Sequence, residues 1–157
     1  MKEKTASFSG HRNISTEDLN ALPQRLDRII AALINLDIVF FESGCALGFD
    51  TLAAQAVLRA RKMNREIKLI AVLPCINQSE KWPEADKKVY QQLLSAADNV
   101  VYVSNLFYDK DCMKQRNLYL ATNSSICVAY MKRKRSGTAQ TVRMAKKQGA
   151  LVLNLAE

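Results

Sequence analysis

Residues 67–73, Ile-Lys-Leu-Ile-Ala-Val-Leu, form a nearly continuous apolar run that Pro74 ends. A strand with one face in water alternates apolar and polar positions. A run apolar at both sets of positions suits a strand covered on both faces, as in a parallel sheet packed between helices. The rest of the chain repeats the theme. Short apolar runs at residues 6–8, 37–41, 99–103, 125–130 and 150–155 read as further strands, and amphipathic segments separate them. Strands alternating with helices imply right-handed crossovers and a mostly parallel α/β sheet.

The helices carry their own signals. Ser15 with Asp18 three residues on marks a helix N-terminus, and Pro23 suits a first helical turn better than an interior. Leu22, Leu26, Ile29, Ile30, Leu33 and Ile34 then recur at helical spacing and predict one buried stripe. Residues 50–62 predict a second helix, with Leu52, Ala53, Ala56, Val57 and Ala60 on one face, and residues 84–97 a third. Residues 75–83 and 105–112 read as loops, residues 113–122 as a helix, and residues 137–148 as a last helix closed by Gly149 at C′. No repeat, low-complexity segment or linker divides residues 1–157, which predicts a single domain.

At 157 residues the chain is long enough for a core that needs no staples. No apolar run is long enough to span a bilayer, and the N-terminus leads straight into strand-like sequence without an apolar signal region. These features predict a cytoplasmic protein with no membrane partner. Four cysteines stand at 45, 75, 112 and 127, with no C-x-x-C pair and one histidine, so neither a metal site nor a disulfide framework is expected. Cys45, Cys75 and Cys112 each fall in a predicted loop. The net charge of +8 favours anionic partners: nucleotides, nucleic acid or acidic protein surfaces. Part of the excess lies in Lys132-Arg133-Lys134-Arg135. The sequence names no cofactor and leaves a homo-oligomer open.

Ligands of open parallel sheets bind outside the carboxyl ends of the strands. That rule selects Ser9, Gly10, His11 and Arg12 after the first strand and Ser43, Gly44, Gly48 and Asp50 after the second. It selects Pro74 after the third, with Trp82 further on, and Asn105 and the approach to Arg116 and Asn117 after the fourth. After the fifth comes the basic run, then Ser136, Gly137 and Thr138. The stretch from Ser43 to Asp50 places glycines between a strand and a helix start, where backbone N–H groups can meet an anion. Its G-x-x-x-G spacing is not the dinucleotide fingerprint. Asp50 can cap the helix or accept hydrogen bonds from ribose hydroxyls. Arg12 can hold a phosphate, His11 can act as acid or base, and Ser136-Gly137-Thr138 offers a second helix N-terminus to an anion. Arg116 can pair with a phosphate or with Asp111, and Asn117 can read a base or ribose edge. Trp82 and Tyr108 can stack on a base.

These segments together resemble the SLOG superfamily in its YpsA-like (YspA) branch. The resemblance is carried by Ser9-Gly10-His11-Arg12; by residues 43–50 with Leu52-Ala53-Ala54; by Leu73-Pro74-Cys75; by Cys112-Met113 with Arg116-Asn117; and by Ser136-Gly137-Thr138 with Thr141. It implies a Rossmann-like, doubly wound sheet with helices on both faces and a pocket for a nucleotide or nucleotide-derived ligand. The wider superfamily includes LOG phosphoribohydrolases and DNA-processing DprA proteins. LOG enzymes carry Gly-Gly-x-Gly-Thr-x-x-Glu, whose glutamate serves catalysis. Aligned on Gly137-Thr138, that glutamate falls on Thr141 and the leading glycine pair on Lys134 and Arg135. This departure weakens a hydrolase reading and favours binding.

Three functions therefore stand in order. The first is binding or sensing of a phosphorylated nucleoside. The second is cleavage of an N-glycosidic or phosphate bond in such a ligand, with His11 or Asp50 as the acid–base group. The third is single-stranded nucleic-acid binding through the basic run, which lacks the interleaved aromatics of stacking modules.

Overall fold

In the computed structural model, which describes residues 1–104 and 110–156, six strands and five helices alternate. They are β1 (Thr5–Gly10), α1 (Thr16–Asn35), β2 (Phe40–Ser43), α2 (Phe49–Met63), β3 (Lys68–Leu73), α3 (Glu84–Ala96), β4 (Asn99–Tyr102), α4 (Lys110–Thr122), β5 (Ile126–Tyr130), α5 (Gly137–Lys147) and β6 (Leu151–Asn154). All described strand pairs are parallel, in the order β4-β3-β2-β1-β5-β6. The chain winds outward from β1 to β4, then returns to the other side of β1 for β5 and β6. Right-handed crossovers therefore put α1, α2 and α3 on one face and α4 and α5 on the other, as the packing of α2 against α1 and α3, and of α4 against α5, reflects. This is a doubly wound, Rossmann-like α/β fold.

The two faces differ in chemistry. Alternation along β1 turns Ala6 and Phe8 toward α1 and α2, where they join Leu22, Leu26, Ile30, Phe41, Phe49, Val57, Leu69 and Tyr130 in the main core. A smaller cluster of Ala121, Cys127, Ala145 and Ala150 lies apart from it. The alternate β1 residue Ser7 is buried and hydrogen-bonded to Ser124 Oγ at 2.8 Å.

Several boundaries depart from the sequence reading. Pro23 lies well inside α1, whose N-terminus is capped where Ser15 Oγ accepts from the Asp18 N–H. Proline in the interior removes a donor to the carbonyl four residues back; that residue, Leu19, is solvent-exposed, where water can serve the carbonyl. The second strand begins at Phe40 rather than Asp37. Asp37 takes a left-handed conformation (φ 67°) to turn the chain out of α1, and pairing starts only where Thr5 faces Phe40. α4 begins at Lys110, so Cys112 sits buried in a helix and not in a loop. The readings that fall on Asn105 and Tyr108 lie outside the described residues. Gly149 closes α5 with φ 88°.

Candidate functional site

β1 and β5 are neighbours whose onward connections leave toward opposite faces, which makes their carboxyl ends the topological switch point. A cleft of about 300 Å³ opens there. The β1 loop supplies Ser9, Gly10, His11, Arg12 and Asn13. The β2–α2 connection supplies Ala46 and Asp50. The β5–α5 connection and first turn of α5 supply Arg133, Ser136, Gly137 and Thr138. α4 supplies Met113, Arg116, Asn117 and Leu120.

Short ties hold these loops together. The His11 N–H donates to the Tyr130 carbonyl at 3.3 Å, and the Phe49 N–H donates to the His11 carbonyl at 3.2 Å. His11 Nε2 accepts from the Lys132 and Arg133 N–H groups at 2.9 and 3.3 Å. The proton of the neutral ring therefore sits on Nδ1. Burial and the nearby Arg133 charge lower the His11 pKa and favour that neutral form. Nε2 is occupied in anchoring the basic rim, so any acid–base role for His11 falls to Nδ1. Tyr130 packs on Phe49 and His11 and donates to Asp18 Oδ2, which also pairs with Lys132 Nζ at 2.6 Å.

Asp50 lies in the first turn of α2, behind Gly48 at the N-cap, so its carboxylate does not cap the helix. It is buried, and its Oδ1 has no hydrogen-bond partner. Burial pushes its pKa up to about 6, while Arg116, the Ala46 N–H, Arg12 and the Gly10 N–H pull it back. Arg116 is a buried cation close by, and burial lowers its pKa against the pull of Asp50. Among the described residues the two form no direct ion pair. Arg116 Nη1 donates to the Gly44 carbonyl at 3.3 Å, which Gln78 Nε2 also holds at 3.2 Å.

At α5, Ser136 Oγ accepts from the Ala139 N–H at 3.1 Å and donates to the Arg133 carbonyl at 3.1 Å. It is a working N-cap. The first-turn N–H groups of Gly137 and Thr138 are of the kind that has no intrahelical partner, and both residues line the cleft. A Cβ on Gly137 would meet nothing within 4 Å, so the approach to these donors is open. Thr141 Oγ1 donates to the Gly137 carbonyl at 3.1 Å and serves its own helix.

The structure thus brings together Ser9, Gly10, His11, Arg12, Asp50, Arg116, Asn117, Ser136, Gly137 and Thr138. Four other candidates do not line the cleft. Ser43 is buried behind it, donating to the Asp50 carbonyl at 3.0 Å and accepting from the Cys45 N–H at 3.1 Å. Gly44 lies beneath Arg116, and Gly48 lies against the Arg12 backbone. Pro74 is buried at the end of β3. Each acts on the wall from behind, except Pro74, for which no contact with the cleft is seen. Trp82 packs its ring on Tyr90, 5.0 Å between centroids, and does not line the cleft. Sequence reasoning missed Phe8, Asn13, Ala46, Met113 and Leu120, and weighed Arg133 only as part of the basic run. Met113, Arg116, Asn117 and Leu120 stand at i, i+3, i+4 and i+7, so one helical face was the available signal.

All four cysteines are buried. Burial pushes Cys45 up to about 12 and Cys127 up to about 11, far from thiolate reactivity at neutral pH. Among the described residues no cluster of three or more His, Cys, Asp or Glu could hold a metal ion, and no helix is long and apolar enough to cross a membrane.

Comparison with known proteins places this cleft in context. The chain is similar to DNA processing protein A of Streptococcus pneumoniae, with TM-score 0.69 and 21% identity, over 96% of this chain and 50% of that one. It is equally similar to DNA processing protein A of Helicobacter pylori, described for its single-stranded DNA binding mode, over 64% of that chain. At such identity the likeness shows the fold alone, and the chain spans half to two thirds of those proteins. Among sequences, a UPF0398 protein of Halalkalibacterium halodurans is 27% identical over 81% of this chain and 68% of its own length. The SPbeta prophage-derived protein YoqJ of Bacillus subtilis is 29% identical over 80% of this chain and 81% of its own. From Gly10 at the end of β1 to Leu151 at the start of β6, the sequence matches one described family across nearly all the segments that build the cleft: the chain belongs to the YspA SLOG family, matched over residues 10–151.

Proposed function

We propose that this protein binds a phosphorylated nucleoside, or a related nucleotide-derived ligand, in the switch-point cleft. One observation carries the reading: Asp50, a buried carboxylate whose Oδ1 has no partner, lines a cleft that also holds Arg12, Arg133 and the first turn of α5. Buried polar atoms are normally satisfied, and an exception in a cleft wall is a place for a ligand donor. Ribose hydroxyls supply such donors. The cations and helix N-terminus suit a phosphate.

Thermal denaturation across a panel of nucleoside monophosphates and ADP-ribose tests this. A ligand present at 100 times its Kd is expected to add about 2.7 kcal/mol to stability. Asp50→Asn, which keeps shape but replaces one acceptor by a donor, is expected to weaken binding about tenfold, as is Arg12→Ala. Absence of any stabilisation at millimolar ligand would end the proposal.

A second reading, single-stranded nucleic-acid binding, has its own support in the distribution of charge. Residues 1–111 contain 14 Lys and Arg and 14 Asp and Glu, whereas residues 112–156 contain nine Lys and Arg and no Asp or Glu. The excess therefore falls on α4, the β5–α5 connection and α5. Among the described residues Arg133, Lys134, Arg135, Lys146 and Lys147 are exposed and form no ion pair. The fold shared with a protein described as binding single-stranded DNA is consistent with it. If about five phosphates are neutralised, log K should fall with log salt at a slope near −3.5. Titration of a labelled oligonucleotide between 50 and 200 mM salt, taken from the range of that effect, checks it, and a flat response removes it.

A further inference from the structure

The orientation of one side chain extends the nucleotide reading, on which this inference rests, to the base. Arg116 Nε donates to Asn117 Oδ1 at 2.9 Å. Arg116 is itself held, with Nη1 on the Gly44 carbonyl and the guanidinium in the space left by Gly44's missing side chain. A guanidinium only donates, so the amide atom that meets it has to be the oxygen. Asn117 is left with its Nδ2 group, two N–H donors, for the cleft. The same helical face supplies Met113 and Leu120, apolar surface for a flat ring, while Arg12, Arg133 and the α5 N-terminus form the part suited to a phosphate.

An asparagine with both ends free reads adenine by accepting from the amino group and donating to the adjacent ring nitrogen. Here Arg116 holds one lone pair of Oδ1 and the oxygen is turned toward that residue, which leaves Nδ2 as the end available to a base. We propose that Asn117 makes this cleft selective for nucleotides whose base presents a carbonyl oxygen over those that present an amino group at the same position. A carbonyl accepts from Nδ2. An amino group sets donor against donor and leaves both unpaired in a partly buried site, which is costly.

Calorimetric titration of the wild-type protein compares inosine with adenosine monophosphate and uridine with cytidine monophosphate, with ribose 5-phosphate as the base-free control. The carbonyl member of each pair is expected to bind about tenfold tighter. Asn117→Asp, whose second oxygen would face the cleft as an acceptor, is expected to reverse the order. Equal affinity within each pair, or preference for the amino members, overturns this inference while ribose 5-phosphate binding keeps the nucleotide reading. Failure of all five ligands to bind overturns both.

Discussion

Gly48→Ala is expected to cost about 3 kcal/mol or more of folding stability and to disorganise the cleft wall. Gly48 is the N-cap of α2 with φ 83° and ψ −125°, a conformation in practice reserved for glycine. Space is also lacking. An added Cβ would lie 2.6 Å from Arg12 Cα and 2.7 Å from its carbonyl carbon, and backbone cannot swing aside as a flexible side chain does. Strain of about 1–3 kcal/mol and overpacking of similar size act together. Gly137→Ala is the control, because nothing stands within 4 Å of its Cβ and its φ is not positive. That substitution should be neutral or slightly stabilising. Urea denaturation of the two variants decides the matter: a Gly48→Ala midpoint close to wild type would mean that the loop does not pack on Arg12 as described.

The second large effect is a loss of stability with rising pH, caused by Glu42. This residue sits on β2 between Ser7 of β1 and Ile70 of β3, one position on from the core residue Phe41. It is 4% exposed, its Oε1 has no partner, and Tyr119 of α4, whose pKa burial raises, is close enough for the Glu42 charge to add to that rise. Burial pushes Glu42 up to about 8 from a usual 4.5. The folded state therefore holds a proton that the unfolded chain has released. The resulting stability is fully present below the unfolded pKa and is lost as pH rises toward about 8.

Other groups leave a clean window. His11, with a lowered pKa, favours folding more as pH rises, but only up to its unfolded value of 6.5. Asp50, raised to about 6, has finished its own loss near there. The thiols Cys45 and Cys127 add losses only around and above pH 9. Between pH 6.5 and 8 the wild type should lose about 2 kcal/mol, at no more than about 1.4 kcal/mol per pH unit. Glu42→Gln, neutral throughout, should be nearly flat over the same range. Parallel pH profiles for the two proteins would assign the effect elsewhere.

The order of elements was readable because periodicity reports burial, and burial of both faces along residues 67–73 is hard to satisfy outside a helix-covered parallel sheet. Boundaries were less readable. Ile38 and Val39 have strand propensity, yet the turn at Asp37 and the register of Thr5 with Phe40 decide where pairing starts. Pro23 misled because proline was expected to mark a first turn, whereas the Ser15 cap set the start. In the site, the switch-point rule pointed to connections that border the cleft but not to the side of each connection that faces it. Ser43, Gly44 and Gly48 belong to the connection that borders the cleft through Ala46 and Asp50 and support it from behind, since that choice is made by contacts with Arg12, Arg116 and Asp50. Conversely, Met113 and Leu120 look like ordinary core residues until α4 is placed beside β1.

Because β1 and β5 hand the chain to opposite sides of the sheet, the hollow above them is a product of winding direction and not of any one side chain. Exchanging Arg12 or Thr138 for other residues alters what the hollow can hold while leaving Phe8, Phe41 and Phe49 packed together as before. Kinship in architecture can therefore outlast kinship in cargo, and relatives sharing this path are free to carry different molecules.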